Sequence, residues 1–152
     1  MRKSILIAGL WVIACGIGLA QSVLPDDVVG TWNVVGGEIK TPSAPDKAAE
    51  KMVQTFKEHL LHSVFVFKSD HNFSFNVDLE DLDIKKGHWK YNAAKQQYEI
   101  QEWADKDKDS SYLIIFQVVR QGDKTYIIIL GMDELPPKFS FKLEVVRAGV
   151  VL

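Results

Sequence analysis

Cysteine is nearly absent. The 152-residue chain has one, Cys15, inside an apolar N-terminal run. No disulfide can form within the chain, and thiol chemistry is excluded from everything after residue 15. Positive charge is not in excess either: 18 Lys and Arg face 20 Asp and Glu, a net of −2. A nucleic-acid binder would show a basic stripe, and a protein held on anionic lipid by charge would show a basic cluster. The chain has no glycine-rich phosphate loop, no serine in a nucleophile elbow, no useful repeat and no low-complexity tract. These absences point away from an enzyme and give no reason to expect a cofactor.

What is present begins with an export signal. Arg2 and Lys3 precede an uncharged run from Ser4 to Ala20, rich in Ile, Leu, Val and Ala, and a polar stretch follows. That is the layout of a secretory signal peptide, with cleavage expected between Ala20 and Gln21. A bilayer-spanning helix needs about 20 apolar residues, and this run is short and interrupted by Gly9, Gly16 and Gly18. Val12-Ile13-Ala14-Cys15 also resembles a lipobox, which would make Cys15 a lipidated N-terminus and place the protein on a membrane. The apolar sequence after Cys15 favours cleavage after Ala20 and a periplasmic or secreted product. Without Arg2 and Lys3, residues 21–152 carry 16 basic and 20 acidic side chains, a net of −4. That length is one domain, large enough to be stable on its core without disulfides.

Residues 21–152 read as one helix among eight strands. Val28–Val35 forms the first strand, ended by Gly36-Gly37. Ser43 and Asp46 form a capping box for a helix over Ala44–Leu61, with an apolar stripe of Ala48, Met52, Phe56 and Leu60. Period-two alternation then takes over. Val64–Phe67, Phe73–Val77, Trp89–Tyr91, Tyr98–Trp103, Tyr112–Val118, Tyr126–Leu130 and Phe139–Val145 are strands, with a chain break at Leu135-Pro136-Pro137. Short connections imply antiparallel neighbours in meander order. Such a set closes into an up-and-down barrel and removes its own edges. The helix, between strands one and two, is placed to cover a mouth.

Gly30-Thr31-Trp32 on the first strand resembles the Gly-x-Trp signature of lipocalins, and residues 28–147 resemble bacterial lipocalin-like proteins in element order. The resemblance implies a calycin-type barrel in which Trp32 packs at the closed end with Arg147, from the last strand, across it. Arg147 shares the parity of Phe139, Phe141, Leu143 and Val145, the apolar face. The helix after the first strand resembles fatty-acid-binding proteins, but their Arg-x-Tyr triplet is missing.

Other chemistry is sparse. His59 and His62 are three apart on the helix without a third ligand at a recognisable spacing, so no metal is expected. His71 falls in a turn and His88 alternates outward. Asp105, Asp107 and Asp109 alternate like a calcium loop, but the positions that would need Gly and Glu hold Ser110 and Phe116. Glu80-Asp81 and Asp83 lie beside Lys85-Lys86, with no cleft evident for acid–base work. The inward face is expected to carry Trp32, Phe73, Phe75, Trp89, Tyr91, Tyr98, Tyr112, Phe116, Tyr126, Phe139 and Phe141. An aromatic-lined barrel suits a small apolar ligand, a neutral one because Arg147 is the sole inward cation. Met52, Phe56, Phe73, Phe75, Tyr91 and Tyr126 are its expected contacts, with entry beneath the helix. The alternative is a structural or protein-interaction module of the cell envelope whose barrel is filled, since eight strands enclose little more than their own side chains. The sequence indicates no particular protein partner.

Overall fold

The alternating segments become the staves of a barrel. The computed structural model describes residues 20–40, 46–79, 83–109, 111–132 and 140–149. The expected signal peptide with Cys15, the Ser43 cap, Glu80-Asp81, the Leu135-Pro136-Pro137 break and Phe139 lie outside the described residues. The elements are β1 (Gln21–Ser22), α1 (Pro25–Val28), β2 (Gly30–Lys40), α2 (Lys47–Leu60), β3 (Val64–Phe67), β4 (Asn72–Asn76), β5 (Ile84–Asn92), β6 (Gln97–Glu102), β7 (Tyr112–Gln121), β8 (Lys124–Met132) and β9 (Ser140–Arg147).

From β2 to β9 each strand pairs antiparallel with the next, and β9 returns to β2 through Trp32↔Arg147 to Lys40↔Ser140. This is a closed eight-stranded barrel. β1 lies outside the ring, adding to β7 at Gln21↔Arg120 and Ser22↔Val119. Among the described residues no helix is long and apolar enough to cross a membrane.

Aromatic rings fill the barrel. Phe116 has Phe65, Phe67, Phe73 and Tyr98 around it, with ring centres 5.8–6.1 Å away. Phe65 and Phe75 stack at 4.3 Å. Each of these six side chains is at most 2% exposed. A void able to hold a ligand would expose the side chains that line it, so this layer is closed.

One end of the barrel is sealed by the segment Gln21–Val29. Trp32 Nε1 donates to the Val28 carbonyl at 2.8 Å, and the Tyr98 hydroxyl donates to the Val23 carbonyl at 2.6 Å. Burial first, then nearby Tyr91 and Asp27, pushes the Tyr98 phenol well above its ordinary pKa, so it remains a donor. Arg147 lies over Trp32, its guanidinium carbon 4.5 Å from the ring centre. The same guanidinium donates to the Val29 carbonyl at 2.9 Å and to the Asp27 carbonyl. The glycine of Gly30-Thr31-Trp32 has a physical reason here. Its φ is +143°, and a Cβ would sit 3.0 Å from Arg147 Nη1.

Three details differ from the sequence reading. β2 does not stop at Val35 but runs through Gly36-Gly37 to Lys40, with a bulge between Val34 and Gly36. α2 begins at Lys47 rather than Ala44, and Asp46 is its cap, accepting from the Ala49 N–H at 2.7 Å. Tyr112 and Tyr126 stand on the outer wall rather than the inner. Lys90 Nζ is 5.0 Å from the Tyr112 ring centre and Lys142 Nζ is 4.3 Å from that of Tyr126, and both lysines alternate with inward residues.

Candidate functional site

Among the described residues, the other end of the barrel has a gap in its wall, and the gap comes from strand length. β2 has 11 residues and β3 has 4. β3 covers β2 only from Gly30↔Phe67 to Asn33↔Val64, and the ladder runs one step further through His62 N–H to Val34 O and Val34 N–H to Ser63 O. Beyond that point, among the described strands, β2 pairs with β9 alone. An uncovered strand edge exposes unpaired backbone groups and is commonly covered by a helix or loop. α2 lies along this stretch.

Local chemistry fixes the end of the helix. Leu61 N–H still donates to Lys57 O, at 3.2 Å. His62 then turns left-handed, with φ of 73°. The buried Ser63 hydroxyl donates to Leu60 O at 2.6 Å, which satisfies one carbonyl left over by the helix end. Leu60 is buried and Phe56 half-buried, and Phe56 meets Phe141 edge-on at 5.9 Å. The helix therefore rests on the barrel through the last two turns of its apolar stripe.

Between α2 and β2 lies a cleft of about 380 Å³. Val34, Gly37, Ile39, Leu60, Leu61 and Leu143 give it an apolar lining, and Gln54, Lys57 and Glu58 stand at its rim. Gln54 Nε2 donates to Glu58 Oε1 at 3.0 Å. Gly37 leaves no side chain against Leu143 on this wall. At Gly37 a Cβ would come within 2.9 Å of the Lys142 carbonyl oxygen, so no larger residue fits on this wall without movement. At Gly36 a Cβ would face the outward Glu144 side chain, 3.8 Å away.

The six expected ligand contacts are not brought together. Met52 is 42% exposed on the helix. Phe56 is the one member near the cleft, on α2 against Phe141. Phe73 and Phe75 are locked in the ring layer. Tyr91 is half-buried beside Tyr98, ring centres 4.9 Å apart, towards the sealed end. Tyr126 faces outward under Lys142. Trp32 and Arg147 are brought together, as described above. The cleft residues Val34, Gly36, Gly37 and Leu143 were missed as a group. Gly36-Gly37 was the available signal: two adjacent glycines inside a strand mark a bulge or an open wall.

The histidines divide into two sites. His59 Nδ1 is 3.8 Å from Asp78 Oδ2. His59 and His62 line a polar groove of about 660 Å³ with Asp78 and Asp83. Among the described residues no group of three or more His, Cys, Asp or Glu side chains is placed to hold a metal ion. His71 and His88 stack on one another, ring centres 5.8 Å apart. Asp105 bonds to Lys108 at 2.6 Å, within the charged loop after β6.

Comparison with protein-family models, with curated proteins and with solved structures finds no match for this chain.

Proposed function

We propose that this is an exported, lipocalin-like binding protein that takes a small apolar ligand at the barrel mouth, in the cleft between α2 and β2. The observation that carries the reading is the wall gap itself. An apolar cleft of about 380 Å³ is within the range of small-molecule sites, about 300–1,000 Å³, whereas the ring layer below it is filled. A ligand would therefore stay at the mouth rather than descend to Phe73 and Phe75. α2 can rotate outward without breaking a strand pair, because its described contacts with the barrel are made by side chains: Phe56 and Leu60 pack on it and His59 lies beside Asp78. Segments with few buried apolar contacts open at low free-energy cost. The closed up-and-down barrel, the Gly30-Thr31-Trp32 signature and the Arg147 stack support the lipocalin-like reading.

Ile39→Trp tests the site. Ile39 is a half-buried lining residue of the cleft, paired with the inward Phe141, and a larger side chain there occupies the space a ligand would take. An apolar fluorescent probe should bind the parent and lose about tenfold or more in affinity in the variant, a difference of about 1.4 kcal/mol. Equal affinity in both proteins would remove the cleft from consideration.

Export rests on residues 2–22, and on the engagement of the sealing segment from Gln21 onward. Mass spectrometry of the protein from its native host should find Gln21 at the N-terminus. An acylated Cys15 would instead place the protein on a membrane face.

The filled ring layer favours a second reading, in which the barrel is a rigid platform for a protein partner. It predicts no probe binding in the cleft by either protein.

A further inference from the structure

A stack of rings on the barrel connects the β3–β4 turn to the loop after β6. His71, in that turn with φ of 69°, lies nearly flat on Trp89, ring centres 4.3 Å apart. Its Nδ1 is 2.9 Å from the Trp89 carbonyl oxygen, so it donates there and that tautomer is fixed. His88 of β5 stacks on His71. Trp103, the first residue of the segment Trp103–Asp109, meets His88 edge-on at 5.3 Å. The segment is fastened to the wall by Gln101 Nε2, which donates to Lys108 O at 2.5 Å.

His88 Nδ1 is buried and has no hydrogen-bond partner among the described residues. A neutral imidazole tolerates this when its proton sits on Nε2. A protonated one does not, because Nδ1–H would be a buried donor of a cation with nothing to accept it. The charges around His88 oppose protonation too. His71 comes from the turn, Lys90 from its own strand and Lys106 from the loop. The carboxylate that favours protonation is Asp107, itself 3.8 Å from Lys106 Nζ. Asp105 is held by Lys108. Burial first, then these positive neighbours, holds the His88 imidazole below its ordinary pKa.

We propose that His88 is an acid-operated release for the segment Trp103–Asp109: protonation drives the segment off the barrel wall, where water can accept the Nδ1–H. The direction follows from linkage. With the segment docked, His88 titrates below the ordinary value of about 6.5; with it released, His88 returns towards that value. Docking is thus fully present above about pH 6.5 and is lost as pH falls towards the docked value. The open population rises by up to tenfold per pH unit in that window. Release uncovers the buried Gln101 and the face of His88 that Trp103 packs against.

Hydrogen exchange of the mature protein, read at residues 103–109 and corrected for the pH dependence of intrinsic exchange, tests this. The opening equilibrium should rise from pH 7.5 to pH 5.5 in the parent, by up to about tenfold. It should stay flat in His88→Gln and persist in His71→Gln. A pH-independent loop in the parent, or an unchanged acid response in a folded His88→Gln, overturns the proposal. Should His88→Gln not fold, ¹⁵N titration of the parent's imidazoles decides. Loop opening must share its midpoint with the His88 ring, and a midpoint shared with another histidine refutes the assignment.

Discussion

Phe116→Ala is expected to lower the unfolding free energy by about 3–5 kcal/mol, the range for truncating a large buried aromatic. Phe116 is fully buried and is the ring to which Phe65, Phe67, Phe73 and Tyr98 all pack. Two losses combine. Burial of the side chain is forfeited, and the ring–ring contacts lose their preferred edge and offset geometry, worth about 0.5–1.5 kcal/mol per pair beyond area. The barrel backbone is a closed ladder, so it cannot collapse readily into the void. The variant should therefore hold an apolar cavity below the α2 cleft. Chemical denaturation gives the stability change, and a loss under about 1 kcal/mol would mean that the ring layer is loosely packed.

Arg147→Ala is expected to cost about 2–4 kcal/mol. Its stacking over Trp32 is a cation–π contact worth about 0.5–2 kcal/mol. Hydrogen bonds from a charged donor are worth about 1.5–3 kcal/mol each, discounted here because the side chain is half-exposed and water can replace it. The loss reaches beyond one side chain. The carbonyls of Asp27 and Val29 lose their donor together, and the sealing segment keeps only its ties through Trp32, Tyr98 and β1. Arg147→Lys should recover little, because an ammonium cannot reach two carbonyls as a planar fork while lying flat on an indole. Thermal melts of the three proteins distinguish these cases, and an Arg147→Ala protein that melts like the parent would show that the seal contributes nothing to stability.

The strands were legible because burial on one face imposes period two, and Phe73, Phe75, Phe139, Phe141, Leu143 and Val145 announce it. Where both faces are apolar, the phase is lost. Tyr126 to Leu130 reads Tyr-Ile-Ile-Ile-Leu, and only the bulge between Ile115 and Phe116 and the pairing Val119↔Tyr126 set Tyr126 outward. The helix stripe failed for a geometric reason. A spacing of four residues advances 40° around a helix at each step. Ala48 and Met52 therefore drift off the face that Phe56 and Leu60 present. The cleft depends on the mismatch between β2 and β3, and strand register is not written in either strand alone. Gly36-Gly37 looked like a terminator because glycine disfavours strands, yet pairing with β9 carries the strand through it. The sealing segment was equally hidden: Val23-Leu24 and Val28-Val29 are short apolar pairs around Pro25-Asp26-Asp27 with no period to read, and the roles of Val23 and Val28 depend on Tyr98 and Trp32.

Binding at the mouth rather than within the barrel is tested most directly by amide and methyl NMR of the mature protein during titration with an apolar probe. The predicted result is a saturable set of shifts confined to Val34, Gly36, Gly37, Ile39, Leu60, Leu61 and Leu143, with Phe65, Phe75 and Phe116 unmoved. Shifts centred on those three rings, or no saturable shifts at all, would contradict it.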